Sequence, residues 1–253
     1  MNAWRQVSWK RVGVIVPILV GVAALLDWAR HDLLALYFAR ETAKGEPNLS
    51  AVPEPVPDKT VAVLDGLHLN HFEYSLRVPW READFERDAK SVVGIHFRSG
   101  AGLMMFDPLS AVDAVKEMRG RARSDTRKLR RIFGDRALSS NYDFMAAEMA
   151  VTPSEIKWWN PPGANARCLV LLNLKAMEIH GISNAIYRRS SEEMRGFQFG
   201  NPSVAPYQVE LNLFDRNDRR YKIIITGKKP AGQAITQAEI NAMVASLRSI
   251  PHS

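Results

Sequence analysis

Cysteine is all but missing from this chain: Cys168 stands alone among 253 residues. No internal disulfide can form, so an oxidising compartment is neither demanded nor excluded. Cys168 opens the run Cys168-Leu169-Val170-Leu171-Leu172 and has no His-Asn constellation to activate it. It reads as a buried small hydrophobe rather than a nucleophile. There is no phosphate-binding glycine loop, and Ser139-Ser140 and Ser190-Ser191 lack the setting of a nucleophile elbow. No internal repeat is found, and no cysteine near the N-terminus offers a lipid anchor. With these signatures gone, no catalytic residue and no cofactor is expected.

Arg5, Lys10 and Arg11 precede Val12 to Leu26, fifteen residues without a charge. A spanning helix needs about 20 residues. Trp9 and Trp28, nineteen positions apart, supply the flanks. That separation is about 28 Å along a helix, close to a hydrocarbon core of about 30 Å with Trp at both interfaces. The arm 1–11 is basic and holds no acid, so the positive-inside bias leaves it in the cytoplasm. The expectation is an uncleaved anchor helix over 12–41, single-pass in the cell inner (plasma) membrane, with the bulk periplasmic or extracytoplasmic. Leu33 to Phe38 is apolar again and extends this helix or lies along the membrane surface. Two rivals stand beside it: a signal peptide cleaved near Val22-Ala23-Ala24, and a helix buried in a soluble protein.

Pro47, Pro53, Pro55 and Pro57 lie between Gly45 and Asp58. Alternating prolines favour polyproline II, a semi-rigid spacer. Residues 42–58 are therefore expected as a linker and 59–253 as the extracytoplasmic domain. Its 46% hydrophobic and 24% charged composition is ordinary for a globular protein. Net charge is +7, unevenly spread: Lys116 to Arg136 holds nine Lys or Arg against three acids.

Periodicity orders the domain. Thr60 to Leu64 is a short strand candidate, and Phe72 to Val78 alternates with period two until Pro79. Val93-Ile95-Phe97 and Leu103 to Phe106 form a hairpin across Ser99-Gly100-Ala101-Gly102. Asp107-Pro108 opens a helical region, which Gly120, Ser124 and Gly134 break into pieces. Tyr142 to Val151 is a helix, and Thr152-Pro153-Ser154-Glu155 a capping box leading into a short turn through Trp159. Cys168 to Ile179 reads as one long strand and Ala185 to Phe199 as another. Gln208 to Phe214 and Tyr221 to Thr226 flank a hairpin turn. A second capping box, Thr236 to Glu239, opens a closing helix with Ile240, Met243, Val244 and Leu247 on one stripe. Strands, helices, strands, helix is the order of an α+β fold with a mostly antiparallel sheet flanked by helices.

Phe72-Glu73-Tyr74-Ser75-Leu76-Arg77-Val78-Pro79-Trp80 and the closing helix Ile240 to Leu247 resemble the Mog1/PsbP-like α/β/α sandwich, including the DcrB-type bacterial domains. The resemblance covers about residues 60–250, and the helical insert between Pro108 and Trp159 departs from it. It implies an α/β/α sandwich without shared catalytic residues, in a group that mostly serves as binding, chaperone or assembly modules.

His68, His71 and Glu73 invite a metal reading, but a site needs three or four convergent ligands, and no spacing supplies His96 or His180. No metal is expected. Arg119, Arg123, Arg127, Lys128, Arg130 and Arg131 form a basic helical stretch that fits an anionic surface or acidic partner, or simply a solvated face. It holds no aromatic residue for stacking on single-stranded nucleic acid, and outside the cytoplasm it meets none. Trp158-Trp159 is either an exposed recognition patch or a helix end packed on the sheet. The reading reached is a membrane-anchored, non-catalytic interaction or assembly module of the cell envelope, binding a protein partner or anionic lipid through these arginines and tryptophans. Its alternatives are an envelope enzyme, metal-assisted through His68, His71 and Glu73, and a cytosolic nucleic-acid binder.

Overall fold

Alternation of apolar and polar residues builds most of the sheet. The computed structural model describes residues 34–108, 126–161, 164–182, 185–227 and 232–250. Its strands are β1 (Glu54–Pro55), β2 (His68–His71), β3 (Tyr74–Arg77), β4 (Ala83–Ala89), β5 (Val92–Phe97), β6 (Gly102–Phe106), β7 (Ile186–Ser190), β8 (Arg195–Phe199), β9 (Val209–Phe214), β10 (Arg220–Thr226) and β11 (Arg248–Ser249). The helices are α1 (34–45), α2 (Thr126–Ala137), α3 (Asn141–Ala150), α4 (Ala164–Ile179) and α5 (Gln237–Ser246). Eight strands pair in the order β1-β7-β8-β9-β10-β6-β5-β4, and β11-β3-β2 make a smaller sheet. Every neighbouring pair is antiparallel except β1 with β7. The fold is α+β.

The large sheet buries two different faces. On one, Val93, Ile95, Leu103, Met105, Leu211, Leu213 and Ile223 meet α5 through Ile240 and Met243, and the small sheet through Tyr74 and Leu76. On the other, Ile186, Phe197, Phe199 and Phe214 meet Phe133, Phe144, Met149, Leu171 and Leu172 of α2, α3 and α4. Each fully buried Phe or Leu contributes about 1.5–3 kcal/mol. The β9–β10 turn ties this layer down: the Asp218 carboxylate accepts from the backbone N–H groups of Asn141 (2.5 Å) and Tyr142 (3.1 Å) at the start of α3. A carboxylate there satisfies orphan donors and complements the helix dipole. Ser140 caps the same helix, accepting from Asp143 N–H.

Several expectations need correction. Cys168 to Ile179 is not a strand but the body of α4. Its buried Leu171, Lys175 and Ile179 recur every four residues, and Leu, Ala, Met, Lys and Glu are helix formers. Ala185 to Phe199 is two strands, because Ser191 and Met194 close a turn (Ser191 N to Met194 O, 2.7 Å). Phe72 takes a positive φ of 55° and breaks the expected strand into the β2–β3 hairpin. Thr60 to Leu64 forms no strand. The unforeseen β4 is exposed along its whole length, so it has no buried face to betray it. Gly134 interrupts the helical geometry of α2, as expected, while the helix start at Asp107-Pro108 leads into residues outside the description.

The proline-bearing stretch does not stand free. Pro47–Ser50 is a 3-10 turn, Leu49 is fully buried, and β1 adds Glu54 and Pro55 to the sheet beside Tyr187 and Arg188. Pro55 at an edge needs no ladder donor, which is where proline is tolerated. Among the described residues no helix is long and apolar enough to cross a membrane. Of the anchor helix expected over 12–41, residues 12–33 lie outside them, and 34–41 belong to α1, whose Ala35 and Ala39 are buried in the helical layer.

Candidate interaction surface

Helices α1 and α4 run in parallel. Thr42 Oγ1 lies 3.5 Å from Asn173 Oδ1, Glu46 contacts His180, and Asn48 Nδ2 donates to Ile182 O at 3.2 Å. Ala35 and Ala39, one turn apart, face inward and let α1 sit close. Leu34, Tyr37 and Phe38 consequently point out, 50%, 58% and 51% exposed. This inverts the ordinary pattern, in which the apolar stripe faces the core.

The tryptophans lie just before the start of α4. Trp158 and Trp159 are 63% and 61% exposed, set edge to face with centroids 5.5 Å apart, and the Lys157 ammonium lies 5.7 Å from the Trp159 ring centre. Their loop is held firmly. Buried Asn165 accepts from Lys157 N–H (3.3 Å) and donates to Lys157 O (2.8 Å). Asn160 Nδ2 donates to Glu155 O (2.7 Å), and the Thr152–Glu155 capping box anchors the approach. The indoles are therefore presented by a fixed backbone. Packing of Trp158-Trp159 against the sheet, weighed as an alternative above, does not occur.

Arg119 and Arg123 lie outside the described residues, as do the side chains of Arg127, Lys128 and Arg131 within α2. Arg130 is exposed and pairs with Asp135 at 3.1 Å. Such a pair contributes little to stability. His71 and Glu73, the core of the metal reading, are engaged elsewhere: His71 with Glu86 (3.6 Å) and Glu73 with Arg219 (2.5 Å). Among the described residues no three His, Cys, Asp or Glu side chains converge as metal ligands. Cys168 is half-buried, and burial pushes its thiol up, away from a reactive thiolate.

Sequence reasoning missed two buried ionisable groups in the helical layer. Lys175, fully buried, donates to the carbonyl oxygens of Ala51 (2.5 Å), Met149 (3.0 Å) and Val151 (2.8 Å). Burial pulls its ammonium down to about 8. Glu148 is buried with Oε1 unpartnered, and burial, then Glu178, pushes its carboxyl up to about 8. The signal was there: a Lys inside Leu171 to Met177 and a Glu inside Phe144 to Ala150 are charges in apolar runs. No protein-family model, no curated protein and no solved structure matches the chain.

Proposed function

We propose that the chain is a membrane-anchored, non-catalytic interaction module whose aromatic end rests on the bilayer. In this reading 12–26 spans the inner membrane, the basic arm stays in the cytoplasm, and the α+β domain lies outside it. The observation that carries it is the exposure of Leu34, Tyr37 and Phe38 on α1 and of Trp158 and Trp159 just before α4, large apolar side chains that the helical layer turns outward. Leu34 follows Trp28, the far flank of the anchor, by six residues, at most about 20 Å of chain. Aromatic rings with a neighbouring Lys are the chemistry of the headgroup boundary. The basic stretch from Arg119 to Arg131 adds attraction to anionic lipid. The same end also suits a protein partner within the membrane surface layer. A Mog1/PsbP-like α/β/α sandwich is the proposed kinship of the domain, on the strength of its order of elements.

The test uses the full chain in vesicles, with a nitroxide at position 159 (Trp159→Cys in a Cys168→Ala background). Oxygen accessibility is expected to place that label at the headgroup–acyl boundary. A label on 94% exposed Val63 is expected to stay in water. Two aqueous labels overturn the docking. A chain that does not float with vesicles overturns the anchor as well.

A further inference from the structure

A cleft of about 480 Å³ opens on the sheet face opposite α1 to α4, between the segment before β2, the end of β7 and helix α5. That volume is in the range of small-molecule sites. Its walls include Pro55, Val56 and Val244, which are apolar, and Lys59, Arg189 and Asn241, which are not.

Arg189 is the unusual member. It is only 6% exposed, on the same sheet face as Gln198, and lies directly across from Gly196. Gly196 carries no side chain because the β9 backbone passes there: a Cβ would lie 2.0 Å from Asn212 O. Its Nε donates to Gln198 Oε1 at 2.9 Å, and an Nη donates to the same oxygen. Among the described residues it has no other hydrogen-bond partner and forms no ion pair. Burial alone draws it down to about 10, with no neighbouring carboxylate to hold it up.

The network behind Gln198 is neutral throughout. Gln198 Nε2 donates to Gly200 O (3.1 Å), and Gln237 Nε2 donates to Asn241 Oδ1 (3.2 Å). The two glutamine amides bond each other at 2.9 Å. Asn241 Nδ2 donates to the carbonyls of Asp58 (2.7 Å) and Thr60 (2.8 Å), pinning the cleft's outer wall. Asp58, the one acid lining the cleft, turns its carboxylate to Thr60 N–H at 2.8 Å. Among the described residues Lys59 forms no ion pair either. A buried cation without a counter-charge is costly unless something supplies one. A guanidinium spending two donors on one oxygen keeps others free, in a geometry made for oxyanions.

We propose that this cleft binds a small molecule with a phosphate or carboxylate head on an apolar body, the head seated on Arg189 and Lys59 and the body against Val56 and Val244. This site is separate from the aromatic end and does not depend on a bilayer.

The experiment is calorimetric titration of the full chain in non-ionic detergent at constant ionic strength, with phenyl phosphate, benzoate and inorganic phosphate as probes. Saturable binding of phenyl phosphate or benzoate is expected below about 1 mM, at least about 5-fold tighter than inorganic phosphate. Which aromatic probe binds tighter identifies the head. Arg189→Met is expected to weaken binding at least about 10-fold, since a charged hydrogen bond is lost. Lys59→Glu, on an exposed side chain, is expected to do the same without touching the buried network. No saturable binding of either aromatic probe overturns the proposal. So does equal affinity in Arg189→Met or, where that variant does not fold, in Lys59→Glu.

Discussion

Lys175 and Arg189 are both buried cations without an ion pair among the described residues, and they end in opposite ways. The Lys175 ammonium has three protons and three carbonyl oxygens, from Ala51, Met149 and Val151. Two of these follow from α3 reaching its C-terminus, where the dipole favours a cation. The group is saturated and holds three segments together. Arg189 has more donors, and its neighbours offer it a single amide oxygen, that of Gln198. One cation closes a structure, whereas the other leaves a valence open. Burial alone does not separate a structural charge from a binding one; counting what each donor reaches does.

The sharpest way to break the comparison is Lys175→Met, which keeps the volume and removes the donors. Three buried carbonyls lose their partner, and unfolding of the full chain by urea in detergent should show a loss of about 3 kcal/mol. A loss under about 1 kcal/mol would mean that water already serves those carbonyls, and Lys175 would lose its structural role.

The second prediction concerns pH. Glu148 is raised from 4.5 to about 8, so between those values the folded state holds a proton that the unfolded chain has released. Stability therefore falls as pH rises across that window. Lys175 is lowered from 10.5 to about 8, so above pH 8 the unfolded chain holds the extra proton and stability rises again. Together they place a stability minimum near pH 8. Glu148→Gln should erase the falling limb and raise stability at pH 8 by roughly 2 kcal/mol. An unaltered profile between pH 5 and 8 would show that Glu148 is ionised throughout.

These charges also mark where the sequence stops being legible. Both capping boxes, the β5–β6 and β9–β10 hairpins, α3 and α5 follow from local rules, and each is present. Local rules fail for α4, because an apolar run in a buried helix lacks the alternation that would tell it from a strand. They fail for β4 because an exposed edge strand has no apolar face at all. Trp158 and Trp159 were visible as candidates, yet their exposure is decided by Asn165, which holds the Lys157 backbone from a separate helix. The cleft was invisible for a stronger reason. Arg189, Gln198, Asn241 and Lys59 come together only through β1 pairing with β7 and α5 crossing the sheet, contacts between residues more than a hundred positions apart.

The smallest expected effect tests the open valence from inside. Gln198→Glu sets a carboxylate where the amide oxygen now sits, 2.9 Å from Arg189 Nε. The guanidinium gains an internal counter-charge, and the Gly200 carbonyl loses the donor it has from Gln198 Nε2. Gln237 Oε1 loses its Gln198 Nε2 donor as well, so a new buried ion pair opposes two lost hydrogen bonds and stability should fall by about 1–2 kcal/mol. Affinity for phenyl phosphate should nevertheless fall about 5-fold, because the cleft's cation is now neutralised from behind and an entering anion meets a like charge. The loss should ease at low pH, as the new carboxyl takes up a proton and Arg189 again lacks a partner. If affinity holds in Gln198→Glu at neutral pH, the anion is not read by Arg189, and the contrast with Lys175 reduces to two ways of hiding a charge.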